Sequence, residues 1–198
     1  MNELTKDLVG VMIDTWPMIT LTCVVLIVLR VAYLIKNKQK LMFWQDLMML
    51  TFVIYILCLF QIVTGQDVSG EHGINITFFR ELTRYELGSS LFYHNIVGNI
   101  LLFVPFGFFT SYYLDLDKKR YIFLLTFIIS IVIESIQLNI GRAFDVDDVI
   151  LNLVGGFLGF LLYRIIDRLF GDLSDNVKGC MTLMFIMLGI IGVTVILF

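Results

Sequence analysis

The chain has 198 residues, of which 59% are hydrophobic and 16% charged, and its mean hydropathy is +0.90. An ordinary water-soluble domain carries about 25% charged residues, so the composition excludes that class and points to an all-α, polytopic transmembrane bundle. The net charge of −3 gives no general attraction to polyanions, and nucleic acid is not expected as a partner.

A membrane helix needs about 20 predominantly apolar residues, and six segments qualify. Upstream of the first, Leu4, Leu8 and Met12 recur every four residues, which predicts a short separate helix lying at the membrane interface. The first span is predicted over Trp16 to Ile35, with Asp14 or Thr15 as its cap and Pro17 in its first turn, where a missing N–H costs nothing. The second covers Leu41 to Thr64, with Gln45, Asp46 and Trp44 near one interface and Gln61 near the other. A long connection, Gly65 to Ser90, mixes Gly, Asp and Ser with Ile74, Ile76, Phe78 and Phe79. Its middle is too apolar for a free linker, and it is expected to fold back as a lid or a partly re-entrant segment. The third span covers Leu91 to Leu114, the fourth Tyr121 to Ile140, the fifth Val149 to Ile166 and the sixth Gly179 to Phe198.

No internal repeat is evident, so one membrane domain over residues 1–198 is the expectation. The first sixteen residues hold Glu3, Asp7 and Asp14 without a basic start, which argues against a cleaved signal peptide. Cys23, Cys58 and Cys180 all fall in apolar segments and read as packing residues. The two His and the absence of Cys-x-x-Cys or His-x-x-x-His spacing argue against a zinc site of soft ligands, and the sequence names no cofactor.

Orientation follows from Lys and Arg in the short loops. Lys36, Lys38, Lys40, Lys118, Lys119, Arg120, Arg164, Arg168 and Lys178 share one side, and Arg30 can snorkel to it. Lys6, Arg80, Arg84 and Arg142 lie on the other. The first group is therefore expected in the cytoplasm, and both termini outside.

Polar residues are concentrated in three consecutive spans. The third carries His94, Asn95 and Asn99 near its outer end, and Pro105 farther in, where it removes a backbone bond and is expected to kink the helix. Asn95 and Asn99 are four apart, hence on one helical face. The fourth carries Glu134 and Gln137, with Glu134 roughly 9 Å below the outer end. A hairpin follows, Gly141-Arg142-Ala143-Phe144-Asp145-Val146-Asp147-Asp148, and the fifth span continues through Asn152, Gly155 and Gly159. Charges and amides in hydrocarbon cost several kcal/mol each unless partnered. Sequential helices are usually neighbours, so these groups are expected to meet in one pocket opening outward.

Plainer readings stand beside this one. Asn95 and Asn99 read equally well as interhelical glue, and Gly155-x-x-x-Gly159 reads best as close helix packing. His94 reads as a wetted interfacial residue. Asp145 or Asp147 can cap the fifth helix. Glu134 is harder to dismiss, because a carboxyl at that depth is either protonated or paired, and Arg142 is the nearest basic residue able to reach it.

Three ordered motifs carry a resemblance. Asn95-Ile-Val-Gly-Asn99-Ile-Leu-Leu-Phe103-Val-Pro105-Phe-Gly107, then Glu134-Ser-Ile-Gln137, then Arg142-x-x-Asp145-x-Asp147-Asp148-x-x-x-Asn152-x-x-Gly155-x-x-x-Gly159 resemble the VanZ-like family of bacterial membrane proteins. The similarity covers residues 74–163, a core within the single domain. Its opening segment, Ile74-Asn75-Ile76-Thr77-Phe78-Phe79, has Thr77 where the family commonly has proline. The resemblance implies a cell-envelope protein and, in at least some members, lowered susceptibility to teicoplanin-type glycopeptides, with no agreed reaction.

Three functions follow. In the first, the protein binds a lipid-linked cell-wall precursor or related headgroup within the lipid bilayer. Arg142 would then contact a phosphate or carboxylate, and Asn95, Asn99, Gln137, Asp145, Asp148 and Asn152 would line the site. In the second, it is a membrane-embedded hydrolase or transferase acting on a phospholipid or undecaprenyl-linked headgroup, with Glu134 as catalytic acid or base. Asp145, Asp147 and Asp148 would then offer oxygen ligands for a divalent cation. The third, an ion-coupled transporter, has least to support it, since no inverted repeat accompanies the buried carboxyl.

Overall fold

The computed structural model of the chain describes residues 3–64, 74, 75, 77, 84, 86, 89, 92–116, 118–170 and 179. Among them the protein is almost wholly helical. In chain order the elements are α1 (Glu3–Asn37), α2 (Phe43–Thr64), β1 (Ile74–Asn75), a π-helical turn (Tyr93–Val97), α3 (Gly98–Leu114), α4 (Lys119–Asn139), β2 (Phe144–Asp145) and α5 (Val146–Phe170). Five helices are long and apolar enough to cross a membrane: Trp16–Asn37, Phe43–Thr64, Asn95–Leu114, Lys119–Asn139 and Val146–Leu169. Of the sixth predicted span only Gly179 is described; it is helical and buried, with Trp44 against its Cα.

The expected separate interfacial helix before the first span does not form. The Leu4, Leu8, Met12 period runs straight on into the span, and α1 is one helix from Glu3 to Asn37. Pro17 therefore lies inside a helix instead of in its first turn, and neither Asp14 nor Thr15 is a cap. In hydrocarbon a helix keeps its backbone polar groups paired within the segment, so continuing the helix costs less than breaking it where only one N–H is missing.

Two compact units are present, one holding α1 and α2, the other everything from β1 to α5. In the first, Lys38 takes a left-handed conformation (φ 52°) that ends α1, and Arg30 Nε donates to Asp46 Oδ1 at 2.7 Å. Arg30 also lies 5.6 Å from the Tyr33 ring centre. The predicted snorkelling cation is thus an ion-paired one. Nearly all of α1's apolar surface is exposed, from Trp16 through Ile35, as expected of a helix facing lipid.

In the second unit α5 is the central element, with α3 along one side and α4 along the other. Glycines set that spacing. A Cβ on Gly155 would strike the Ile100 carbonyl, one on Gly159 the Val104 carbonyl, and one on Gly107 the Gly156 carbonyl. Backbone meets backbone along the α3–α5 crossing, which is the close-packing reading of Gly155-x-x-x-Gly159. Gly156 faces the opposite way, toward Thr126 of α4. Phe103, Phe108 and Phe109 fill the remaining space and are almost fully buried, and Tyr163 packs edge-on to Phe108. At the far end of α3, Asp115 takes a left-handed conformation (φ 46°) and accepts a 2.9 Å hydrogen bond from Tyr163 Oη.

Candidate functional site

The C-terminal end of α4 and the N-terminal end of α5 are joined by a turn whose geometry follows from three residues. Gly141 adopts φ 94°, a left-handed conformation that an L side chain resists. The chain thereby reverses within one turn, and Arg142 N–H donates to the Gln137 carbonyl at 3.0 Å. Asp145 ends the turn as the residue before α5, its Oδ1 accepting from the Asp147 N–H at 2.8 Å. That is an N-cap, and it satisfies a donor that the first helical turn leaves open.

Glu134 is 1% exposed, buried on the face of α4 that α5 covers. Its Oε2 accepts from the Asp145 N–H at 2.9 Å. Its Oε1 accepts from the Gln137 amide at 3.1 Å, and in the same amide orientation the Gln137 oxygen accepts from Arg142 Nη1 at 2.6 Å. That orientation gives every partner a complementary group. The expected link between Arg142 and Glu134 therefore exists, but with an amide between them. Among the described residues Arg142 makes no direct ion pair, and Gln137 is the one hydrogen-bonding partner of its guanidinium. The charges of Asp148, Arg142 and Asp145 all act on Glu134.

Two further pairs flank this chain. Asn99 Nδ2 donates to Asp148 Oδ1 at 2.6 Å, fixing the N-terminal end of α3 to the start of α5. Asn152, 4% exposed, donates to Ser130 Oγ at 2.9 Å, one turn of α4 from Glu134. Asn99, Glu134 and Asn152 thus each close on a partner of their own, and the charge of Asp148 acting on Glu134 links the first of these pairs to the second. Asn95 lies half-buried in the π-helical turn. There the Gly98 N–H reaches back five residues to the Tyr93 carbonyl, the wider turn of a π-helix. Gln61 belongs to α2, in the other compact unit. Of the long connection between α2 and α3, the described residues bring one segment to this site: Ile74–Asn75 pairs in parallel with Phe144–Asp145, and Asn75 Nδ2 donates to Asp145 Oδ2 at 2.8 Å.

Both carboxylate oxygens of Asp145 are therefore occupied by internal donors. Among the described residues no three His, Cys, Asp or Glu side chains converge as a metal donor set. Sequence reading gave no role at the site to Ser130 or to Asn75, the latter named only within the opening segment of the resemblance. The first was within reach, since Thr126, Ser130, Glu134 and Gln137 are spaced four, four and three, a single buried face of α4. No local signal links Asn75 to a residue 70 positions away.

The family comparison falls on the same residues. The VanZ/LLP1 family matches positions 46–167. Protein VanZ of Enterococcus faecium is 37% identical over 81 residues, a stretch covering 38% of this chain and 48% of that protein, so the likeness spans about half of the relative's length. No solved structure matches the chain. The family match takes in the whole cluster from Asn75 to Asn152 along with α3, α4 and most of α5, and on that extent the chain belongs to the VanZ/LLP1 family.

Proposed function

We propose that the protein is a multi-pass envelope protein that binds an anionic, lipid-linked cell-wall precursor at the outer turn between α4 and α5, and that it thereby lowers susceptibility to teicoplanin-type glycopeptides. The observation carrying this reading is the state of Arg142. Its guanidinium is steadied through Nη1 by Gln137, and among the described residues its other donors have no protein partner. A planar cation steadied from one side, at the turn that joins two apolar helices, suits a phosphate or diphosphate bound in two-pronged fashion. The apolar faces of α4 and α5 would accept the prenyl or acyl chain.

On this reading the other polar residues divide by what they already hold. Asp145 and Glu134 shape the turn, since their oxygens are taken up by internal donors. Arg142 is offered to the headgroup, and Asn99, Asp148 and Asn152 fix the helices beneath it. A membrane enzyme using Glu134 as acid or base has less in its favour. The carboxyl is 1% exposed and each of its oxygens already accepts from a neighbouring N–H group, so the packing gives a substrate no approach to it. The basic residues of the α1–α2 and α3–α4 turns support a cytoplasmic placement for those turns, which puts the Arg142 turn outside.

The test is binding of undecaprenyl diphosphate to the full chain in phosphatidylcholine nanodiscs, alongside teicoplanin susceptibility of a host expressing it. Arg142→Ala should abolish saturable binding and return the host to full susceptibility, and Arg142→Lys should bind with intermediate affinity. Wild-type affinity in Arg142→Ala would overturn the proposal.

A further inference from the structure

Asn75 is held at both ends of its carboxamide. Its Oδ1 accepts from the Thr77 N–H at 3.2 Å, forming an Asx turn, and its Nδ2 donates to Asp145 Oδ2 at 2.8 Å. The backbone reinforces this register, with Asn75 opposite Asp145 in the β1–β2 pair. Asp145 is in turn the residue whose N–H Glu134 accepts, and Glu134 leads through Gln137 to Arg142. An unbroken run of hydrogen bonds therefore joins Asn75, on the segment that precedes α3, to the guanidinium. A carboxylate capping a helix can settle in more than one rotamer, and a second donor on its free oxygen selects one.

We infer that Asn75 is a positioning residue for the Arg142 site: by clasping the Asp145 carboxylate it fixes the N–H that orients Glu134, and with it the amide that aims Arg142. This rests on Arg142 being the anion contact. Coupling of this kind is reciprocal, so an anion on Arg142 also tightens the clasp at Asn75.

The experiment compares Asn75→Asp, Asn75→Ser and the exchange variant carrying both Asn75→Asp and Asp145→Asn, each as full chain in the same nanodiscs. Asn75→Asp sets two carboxylates against each other. Asn75→Ser keeps a turn-forming oxygen but is too short to reach Asp145. The exchange variant restores the bond with its polarity reversed, an asparagine at 145 donating to an aspartate at 75, while the Thr77 and Asp147 N–H groups keep their acceptors. Two readouts are taken: hydrogen exchange of the Asp145 amide without ligand, and affinity for undecaprenyl diphosphate. Loss of a hydrogen bond to a charged group predicts about tenfold faster exchange and about tenfold weaker binding in both single variants. The exchange variant should recover most of each loss, with unaltered exchange across 151–160 in all three showing that α5 remains folded. Wild-type exchange in Asn75→Ser, or an exchange variant no better than Asn75→Asp, overturns the inference. If Arg142→Ala leaves binding intact, the anion-contact reading fails on its own, and the amide-exchange arm still decides the clasp.

Discussion

Replacing Gly107 with alanine should be among the most damaging single-methyl additions in this protein. A Cβ there would sit 2.7 Å from the carbonyl carbon of Gly156 and 2.8 Å from its Cα, with the carbonyl oxygen nearer still. Carbon atoms rest at about 3.5–4.0 Å from one another, so α3 and α5 must part by roughly 0.7 Å or more at that point. The obstacle is backbone, which has no rotamer to give. Overpacking of a well-packed core costs about 1–3 kcal/mol, and a rigid obstacle places this variant near the upper end, about 3 kcal/mol. For a chain of this size that corresponds to a fall in melting temperature of roughly 6–12 °C. Gly98→Ala is the matched control, because its Cβ would meet only the Tyr93 carbonyl, at 3.7 Å. There alanine is a better helix former than glycine, by up to about 1 kcal/mol, and the melting temperature should hold or rise. Both variants are measured by thermal unfolding in the same detergent micelle. If Gly107→Ala melts within about 2 °C of Gly98→Ala, the backbone-on-backbone crossing does not set the α3–α5 distance and the reasoning fails.

Other perturbations have equally definite outcomes. Glu134→Gln turns one acceptor into a donor facing either the Asp145 N–H or the Gln137 amide; it should cost about 1–3 kcal/mol in unfolding free energy, more than a mild isosteric change, and a value near zero would refute the pairing. Ser130→Ala leaves the buried Asn152 amide without its acceptor and should cost a similar amount, whereas the double variant Ser130→Ala with Asn152→Leu should recover part of it. Tyr163→Phe removes the hydroxyl that donates to Asp115 and should lower stability by about 1 kcal/mol while leaving undecaprenyl diphosphate binding unchanged.

How much of this was legible beforehand differs residue by residue. The spans were, because a helix in hydrocarbon is dictated by a run of about 20 apolar residues and by the need to pair its own backbone groups. Glu134, Gln137 and Asn152 were recognisable as buried groups in need of partners, since their depth follows from counting along a helix. Asp145 as a cap could be read from its place just ahead of the apolar run of α5. Arg142 as the cation nearest Glu134 was also readable, though the intervening Gln137 was not, because side-chain reach depends on how the Gly141 turn aims it.

The sequence by itself thus determined that this chain is a bundle of membrane helices with a polar cluster on three of them, as local period and hydrophobicity suffice for that. The tertiary structure alone decided which polar group meets which. Partner choice depends on the rotation and separation of α3, α4 and α5, and these are set by glycine backbones pressed against carbonyls on other helices. It depends also on a two-residue pairing that brings Asn75 to Asp145 across 70 positions of chain. The Gly155-x-x-x-Gly159 spacing marks a close crossing without naming the helix it meets, and the pairing of Asn75 leaves no trace in any window of sequence, because each is a contact between surfaces that exist only once the helices have packed.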